Sequence, residues 1–363
     1  MKRLTPEIAA LKTQHLNALA EYAGTLYRAP KLRHLFLELT LRCNEHCFHC
    51  GSSCGDLPSP ELPLSVYKRL LDEVKEDFDI REIQLCITGG EPLLRKDFFD
   101  ILGYAHELGF EWGMTSNAIL VDKETAHRLA ECGMGTISVS IDGLRETHDR
   151  LRGLKGAYDR AMAGIRNLID EDAFQSVQVT TVINHRNIDE LPQLFGIMDA
   201  LDIDSWRVVN LEPIGRALDH PDLMCTKEDY VRLFEFIREK RDLGYPVEYG
   251  CSHYLGLEYE AEVRDWYWLC NAGVYTASIM TNGDIAACLD IERCPDLIQG
   301  NILKDRFSSV WRDGFKVFRK DLSDDAEMCR DCEHKAFCRG DAHHSYDYDS
   351  HRPMVCMKDI LFN

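Results

Sequence analysis

Cys43-Asn44-Glu45-His46-Cys47-Phe48-His49-Cys50 sets three thiols at CxxxCxxC spacing directly after the apolar run Leu35-Phe36-Leu37-Glu38-Leu39. Three thiolates on one loop can hold three irons of a [4Fe–4S] cube and leave the fourth without a protein ligand, open to chemistry. The same residues admit a zinc knuckle, with His46, His49 or Cys54 completing a tetrahedral set. A closed zinc site leaves Gly89-Gly90-Glu91-Pro92 downstream without a role, and there two glycines let the backbone pass close to a ligand. Cys54 bears on both readings: as a fourth ligand it would close the open iron, and it is expected to be a free thiol beside the cluster.

The triplet together with Gly89-Gly90-Glu91-Pro92 resembles the radical SAM superfamily. The resemblance implies that the open iron chelates the amino and carboxylate groups of S-adenosylmethionine, and that one electron from the cluster cleaves the sulfonium to methionine and a 5′-deoxyadenosyl radical. It implies nucleotide contacts as well. Gly89, Gly90 and the Glu91 carboxylate would receive the methionine amino group, a charge-assisted contact. Ser140, with Ser138 on the same strand face, would meet the ribose or carboxylate, and Arg152 the carboxylate, which suits a bidentate guanidinium. Asn117 would bond the nucleotide and Phe48 would pack near the adenine. Plainer roles stand beside these: a turn-forming asparagine, a capping serine, a solvated arginine, a core phenylalanine.

Cysteine density rises again from Cys270 onward. Cys270, Gly283-Asp284-Ile285-Ala286-Ala287-Cys288, Cys294, Cys329-Arg330-Asp331-Cys332, Cys338 and Cys356 resemble the SPASM extension of radical SAM enzymes, which implies one or two auxiliary [4Fe–4S] clusters. Cys329, Cys332, Cys338 and Cys356 make a complete four-thiolate set, suited to an electron-transfer cluster or to structural zinc. The other set departs from the pattern, because Ala342 stands where a cysteine is expected. Cys270 and Cys288 then need Cys294, with Asp341, Cys251 or substrate as fourth ligand; otherwise the site holds a smaller cluster or none.

A regular frame must position these groups. Strand candidates at Leu35–Leu39, Ile83–Thr88, Glu111–Thr115, Thr136–Ile141, Val177–Ile183 and Ser205–Leu211 alternate with helical patterns at Ser65–Phe78, Asp97–Leu108, Lys123–Cys132, Ala157–Ile169 and Ile188–Leu201. The alternation predicts an α/β chain whose parallel sheet forms a partial (β/α)6 TIM-like barrel, the shape the resemblance also implies, with a C-terminal cysteine-rich auxiliary-cluster domain. Active sites of such barrels lie at the C-terminal strand ends, and Cys43, Gly89, Ser116 with Asn117, Asp142 and Glu212 all follow strand candidates. The expected division is a helical lead-in over 1–30, the barrel over 31–225, a bridging segment over 226–262 and the SPASM domain over 263–363. The lead-in is too short for the N-terminal peptide-binding domain of many peptide-modifying relatives, so that module is expected on a separate recognition protein or not at all.

At 363 residues the chain has room for two cores. Its formal charge of −19 argues against nucleic acid and anionic membrane as partners. The chain has no signal-like start or membrane-length apolar run, and its 15 cysteines suggest metal binding rather than disulfides, so a cytoplasmic location is expected.

Sulfatase-maturating relatives place an aspartate directly after the cysteine matching Cys288; this chain has Leu289 there and Asp290 one residue later. The shift counts against sulfatase maturation, since a base must reach its proton. Asp290, Cys54 and Cys251 are the candidates for base or hydrogen donor, Cys86 and Cys225 are further thiols, and His343-His344-Ser345-Tyr346 reads as a surface loop. The expected activity is hydrogen abstraction from a ribosomal peptide, giving a crosslink, thioether or epimer, with auxiliary clusters assisting oxidation and a flavodoxin or ferredoxin as reductant. The alternatives are oxidation of a small molecule such as an aminoglycoside, sulfatase maturation, and a non-catalytic iron–sulfur or zinc protein.

Overall fold

The computed structural model describes residues 4–56, 60–250 and 253–362. Helix α1 (Pro6–Arg28) leads in, started by Thr5, whose side chain accepts the Ile8 N–H. Six strands follow, β1 (His34–Glu38), β2 (Gln84–Thr88), β3 (Glu111–Ser116), β4 (Met134–Ser140), β5 (Ser176–Ile183) and β6 (Ser205–Asn210), each parallel to the next. Helices α2 (Leu64–Asp77), α3 (Phe98–Leu108), α4 (Lys123–Glu131), α6 (Ala157–Glu171) and α7 (Leu191–Leu201) cover them, with the short α5 (Arg145–Leu151) between β4 and α6. Ala157, Ala161, Ile165 and Leu168 recur at helical spacing on α6 and are buried.

The sheet runs further than the six units expected from sequence. Within residues 226–262 lie α8 (Lys227–Asp242), opened by a Thr226/Asp229 capping box, and β7 (Val247–Tyr249), which pairs parallel to β6. At the other edge β8 (Thr276–Ile279) pairs parallel to β1, followed by antiparallel β9 (Asp284–Ala286) and β10 (Gly300–Asn301). Among the described residues the order is therefore β10-β9-β8-β1-β2-β3-β4-β5-β6-β7. Three- and four-residue strands are too short to show a period, so β7 and β8 left no signal in the sequence.

The two faces differ. Val177, Val179, Thr181 and Ile183 of β5 are buried, while Ser176, Gln178 and Thr180 are part exposed on the lumen side. The lumen is latched across β3: Gln84 Nε2 on β2 donates to Thr136 Oγ1 on β4 at 3.1 Å, over Gly113. A Cβ at position 113 would sit 2.1 Å from Thr136 Oγ1 and 2.7 Å from its carbonyl oxygen. Among the described residues no helix is long and apolar enough to cross a membrane, and every described cysteine is a free thiol.

Gly113→Ala is expected to cost about 1–3 kcal/mol through overpacking, read as a lower thermal midpoint, with partial recovery in Gly113→Ala/Thr136→Ala. An unchanged midpoint in the single variant would show that the wall yields.

Candidate active site

Residues 39–56 leave β1 as a loop without a helix or strand of its own, so neighbours set its shape. From one side comes the turn after β2. Gly90 N–H donates to the Thr40 carbonyl at 2.7 Å and Glu91 N–H to that of Arg42 at 2.9 Å. Cβ atoms at 89 and 90 would lie 2.2 Å from the Thr40 and Arg42 carbonyl oxygens, which explains the glycine pair. From below comes α5: His46 and Phe48 donate to the carbonyls of Arg152 and Leu151. From above comes the turn after β6. There the buried Arg216 guanidinium donates to the carbonyls of Cys47 at 2.8 Å and Cys54 at 2.9 Å and pairs with Asp56.

This packing leaves a cavity of about 150 Å³ whose lining includes Cys43, Cys47, Cys50, Cys54, Gly89, Gly90, Asn117, Ser140 and Arg152. Three predicted residues lie elsewhere. The Phe48 ring stacks on His220 at 4.6 Å among Leu151, Leu211 and Ala217, where apolar packing holds it. Ser138 is bonded to Thr180 at 2.6 Å. Glu91 is fully buried behind the turn, its carboxylate accepting from Ser116 Oγ, Asn117 N–H and Leu93 N–H. Burial pushes the Glu91 carboxyl up to about 7 against those bonds. Asn117 donates to Asn44 Oδ1 at 2.6 Å, which ties the β3 end to the cysteine loop.

Arg152 is the electrostatic centre of the cavity. Its guanidinium pairs with Asp142 Oδ2 at 2.5 Å and Glu45 Oε2 at 3.4 Å and lies 3.6 Å from Cys47 Sγ. His49 Nε2 reaches the same Asp142 oxygen at 3.1 Å. Burial opposes the Asp142 charge, yet Arg152 and His49 hold its carboxyl far below the usual carboxylate range. Glu45 Oε1, His49 Nδ1 and Arg152 Nε are buried without a hydrogen-bond partner among the described residues. The triplet's thiols, with Cys54 beside them, and three orphaned polar atoms around one cavity offer donors that would suit a metal cluster with a polar, charged ligand. Cys54 is buried, its Sγ 3.5 Å from the Gly89 carbonyl and its N–H directed at Cys50 Sγ at 3.4 Å.

The second array divides. Cys329, Cys332, Cys338 and Cys356 line one cavity of about 130 Å³, and their donor types would suit a four-thiolate cluster. Cys270 instead borders a space of about 10 Å³, room for about one water, and Cys288 and Cys294 are not among its walls. Ala342 is packed with Leu16, Tyr254 and Trp268. Cys270, Cys288 and Cys294 therefore do not line that space together. Cys288 Sγ lies 4.0 Å from Asp290, and Asp290 reaches Gly51 beside Cys50. Cys86 faces the lumen, Cys225 Sγ lies 3.6 Å from the Ile183 carbonyl, and Cys251 falls outside the described residues.

The histidine pair is not on the surface. His343 is 5% exposed and bonded to the Tyr348 hydroxyl, and His344 lies 4.0 Å from Glu212 at the end of β6. Glu212 is also 2.7 Å from His253 Nε2, whose Nδ1 meets Asp341 at 2.7 Å. Burial opposes charge on His253, but the two carboxylates raise its pKa to about 10. Asp341 is thereby occupied, and this charged chain fastens the barrel rim to the second array. No spacing in the sequence links residues 212, 253 and 341, and Arg216, which lies in the turn a few residues past the end of β6, carries no motif that marks the upper clamp.

An open thiol triplet on a barrel rim beside a caged four-thiol set defines a radical SAM enzyme with a C-terminal iron–sulfur domain. The radical SAM superfamily model matches residues 37–196 and the iron–sulfur cluster-binding domain SPASM matches residues 270–333. The chain belongs to that superfamily, whose members use a [4Fe–4S] cluster and S-adenosylmethionine, with auxiliary clusters in SPASM. It is 32% identical over 312 residues to the mycofactocin maturase MftC of Mycolicibacterium smegmatis, covering 84% of this chain and 76% of that protein. It is 30% identical over 332 residues to the AdoMet-dependent heme synthase of Methanosarcina barkeri, covering 86% and 91%. In fold it matches Streptococcus suis SuiB bound to S-adenosylmethionine (TM-score 0.69, 20% identity, 86% and 73% covered). It likewise matches anSMEcpe with bound AdoMet (TM-score 0.71, 16% identity, 90% and 94% covered).

Arg216→Gln removes the upper clamp, at a cost on the order of 1.5–3 kcal/mol per charged hydrogen bond lost. Reconstituted protein is expected to lack about four irons and the matching sulfide, by iron and acid-labile sulfide assay. Full loading in this variant would mean that the loop holds its own shape.

Proposed function

We propose that Cys43, Cys47 and Cys50 hold the [4Fe–4S] cluster of this enzyme, that S-adenosylmethionine occupies the cavity against Gly89, Gly90, Asn117, Ser140 and Arg152, and that the substrate is a peptide. The observation that carries the site is the orphaned Glu45 Oε1, His49 Nδ1 and Arg152 Nε gathered at the thiol-lined cavity. When bound, cluster and nucleotide supply the radical that removes a substrate hydrogen. The chain's own part is positioning. Arg152, fixed by Asp142 and Glu45, sets a permanent positive charge at the cavity wall. Glu91 acts behind the wall: it carries the Ser116–Asn117 strand end rather than facing the ligand.

Cys329, Cys332, Cys338 and Cys356 are assigned to one auxiliary cluster, with a flavodoxin or ferredoxin as electron source. Two names support a peptide substrate: the maturase MftC and SuiB, of which one solved structure holds its precursor peptide SuiA. A second reading, oxidation of a small molecule, is favoured by the heme synthase relative, which the match covers over 91% of its length.

Anaerobic protein with S-adenosylmethionine and a strong reductant is expected to form 5′-deoxyadenosine, and Cys43→Ala to lose both that product and about four irons. Nucleoside formation by Cys43→Ala at the native rate would place the radical chemistry elsewhere. Co-expression with short peptides encoded beside the gene should change the mass or the chirality of one of them.

A further inference from the structure

Ser140 edges the cavity, and the strand face it shares with Ser138 and Thr180 carries polar side chains. Most of that face is already bonded to itself: Ser138 to Thr180 at 2.6 Å, Gln178 to Ser205 at 2.8 Å, Gln84 to Thr136 at 3.1 Å. Arg207 on β6 differs. Its side chain is 43% exposed, and its ion-pair partner is Glu248 on β7, with Nε 3.6 Å from the carboxylate. That is beyond hydrogen-bond range, so among the described residues the five guanidinium donors are without a hydrogen bond.

Arg207 lies on the part-exposed face of β6 with Ser205 and Val209. His34 begins β1 and Cys86 sits on β2, several strands from β6 in the sheet, yet both feel its charge. Burial and then Arg207 lower the His34 pKa, and Arg207 opposes the rise that burial gives Cys86. The stem rests beside Gly250, where a Cβ would meet Arg207 Cδ and Cγ at 3.4 and 3.5 Å. Register places it near the chemistry: Ser140 pairs with Thr180, Thr180 with Arg207, and Arg207 with Glu248. Two strand spacings put Arg207 roughly 10 Å from the cavity edge at Ser140.

We propose that Arg207, restrained by Glu248, is the subsite that anchors a carboxylate of the substrate inside the barrel lumen. A guanidinium edge matches a carboxylate bidentately, which a hydroxyl or amide wall cannot do. Glu248 orients the cation while the site is empty and yields readily, because a half-exposed ion pair is worth little. The assignment deepens the peptide reading and rests on it for the source of the carboxylate: an Asp or Glu side chain, or the chain's C-terminus.

The probe is N-acetyl-L-glutamate, with its diamide as the uncharged control, titrated into anaerobically reconstituted holoenzyme containing S-adenosylmethionine and followed by saturation-transfer NMR. The native enzyme is expected to prefer the acid by up to about fivefold, the ratio that roughly 1 kcal/mol from a half-exposed charge pair gives. Arg207→Gln should abolish the preference and Arg207→Lys should keep only part of it. Glu248→Gln should enlarge it, since the competing carboxylate is gone. Iron content and far-UV circular dichroism confirm that each variant is folded and loaded. An acid preference of native size in Arg207→Gln, or none in the native enzyme, would overturn the subsite. The peptide reading fails separately, if no co-expressed peptide is modified, and the titration still decides on Arg207. If a peptide is modified, amidating its C-terminus against replacing its Asp and Glu residues tells the two carboxylate sources apart.

Discussion

The cysteine loop has no secondary structure of its own, and the site depends on the contacts that impose its shape. Gly89 and Gly90 bring the β2 turn to hydrogen-bond distance on one side, and α5 supplies two carbonyls below. The buried Arg216 takes up the carbonyls of Cys47 and Cys54 above. A guanidinium suits this task because its planar fork serves several acceptors from one rigid group. Its burial is sustained by Asp56, which offsets part of the desolvation cost. The turns after β2 and β6 and the end of α5 thus bring the three thiols to one cavity.

Charge inside the cavity is organised on the same plan. Asp142 is fully buried and would be expensive alone, but Arg152 and His49 share it, and its Oδ1 accepts the Val182 N–H. Every strand end that contributes to the site is therefore tied to another: β3 through Asn117 to Asn44, β4 through Asp142 to β5, β6 through Glu212 to His253 and Asp341. The last of these joins the rim to the second cysteine array. The parallel pairing of β8 with β1 also ties the C-terminal residues to the barrel sheet.

Much of this was legible in the residues. Strands rich in Val and Ile, such as β5, showed their period, and the cysteine triplet with Gly89-Gly90-Glu91 located the cavity. Arg152 was named from the resemblance alone, and it lies at the cavity wall. What was not legible depends on long-range contact. Phe48 reads from sequence as a ligand contact, while its ring packs against His220, Leu151 and Leu211, neighbours that nothing local announces. His343 and His344 lay in a polar stretch that reads as surface, yet Glu212 and Tyr348, distant in sequence or across a turn, bury them. The departure at Ala342 was visible; that Trp268 and Leu16 fill the space around it was not. Arg207 carried no motif, and only the curl of the sheet brings it toward His34 and Cys86.

The central claim is that the loop cysteines present an open iron to the nucleotide. It is tested most directly by electron–nuclear double resonance on a Cys329→Ala/Cys332→Ala variant, reduced and mixed with S-adenosylmethionine carrying nitrogen-15 in its amino group. A nitrogen-15 hyperfine coupling to the reduced cluster is the expected result. Identical spectra from labelled and unlabelled nucleotide would contradict it.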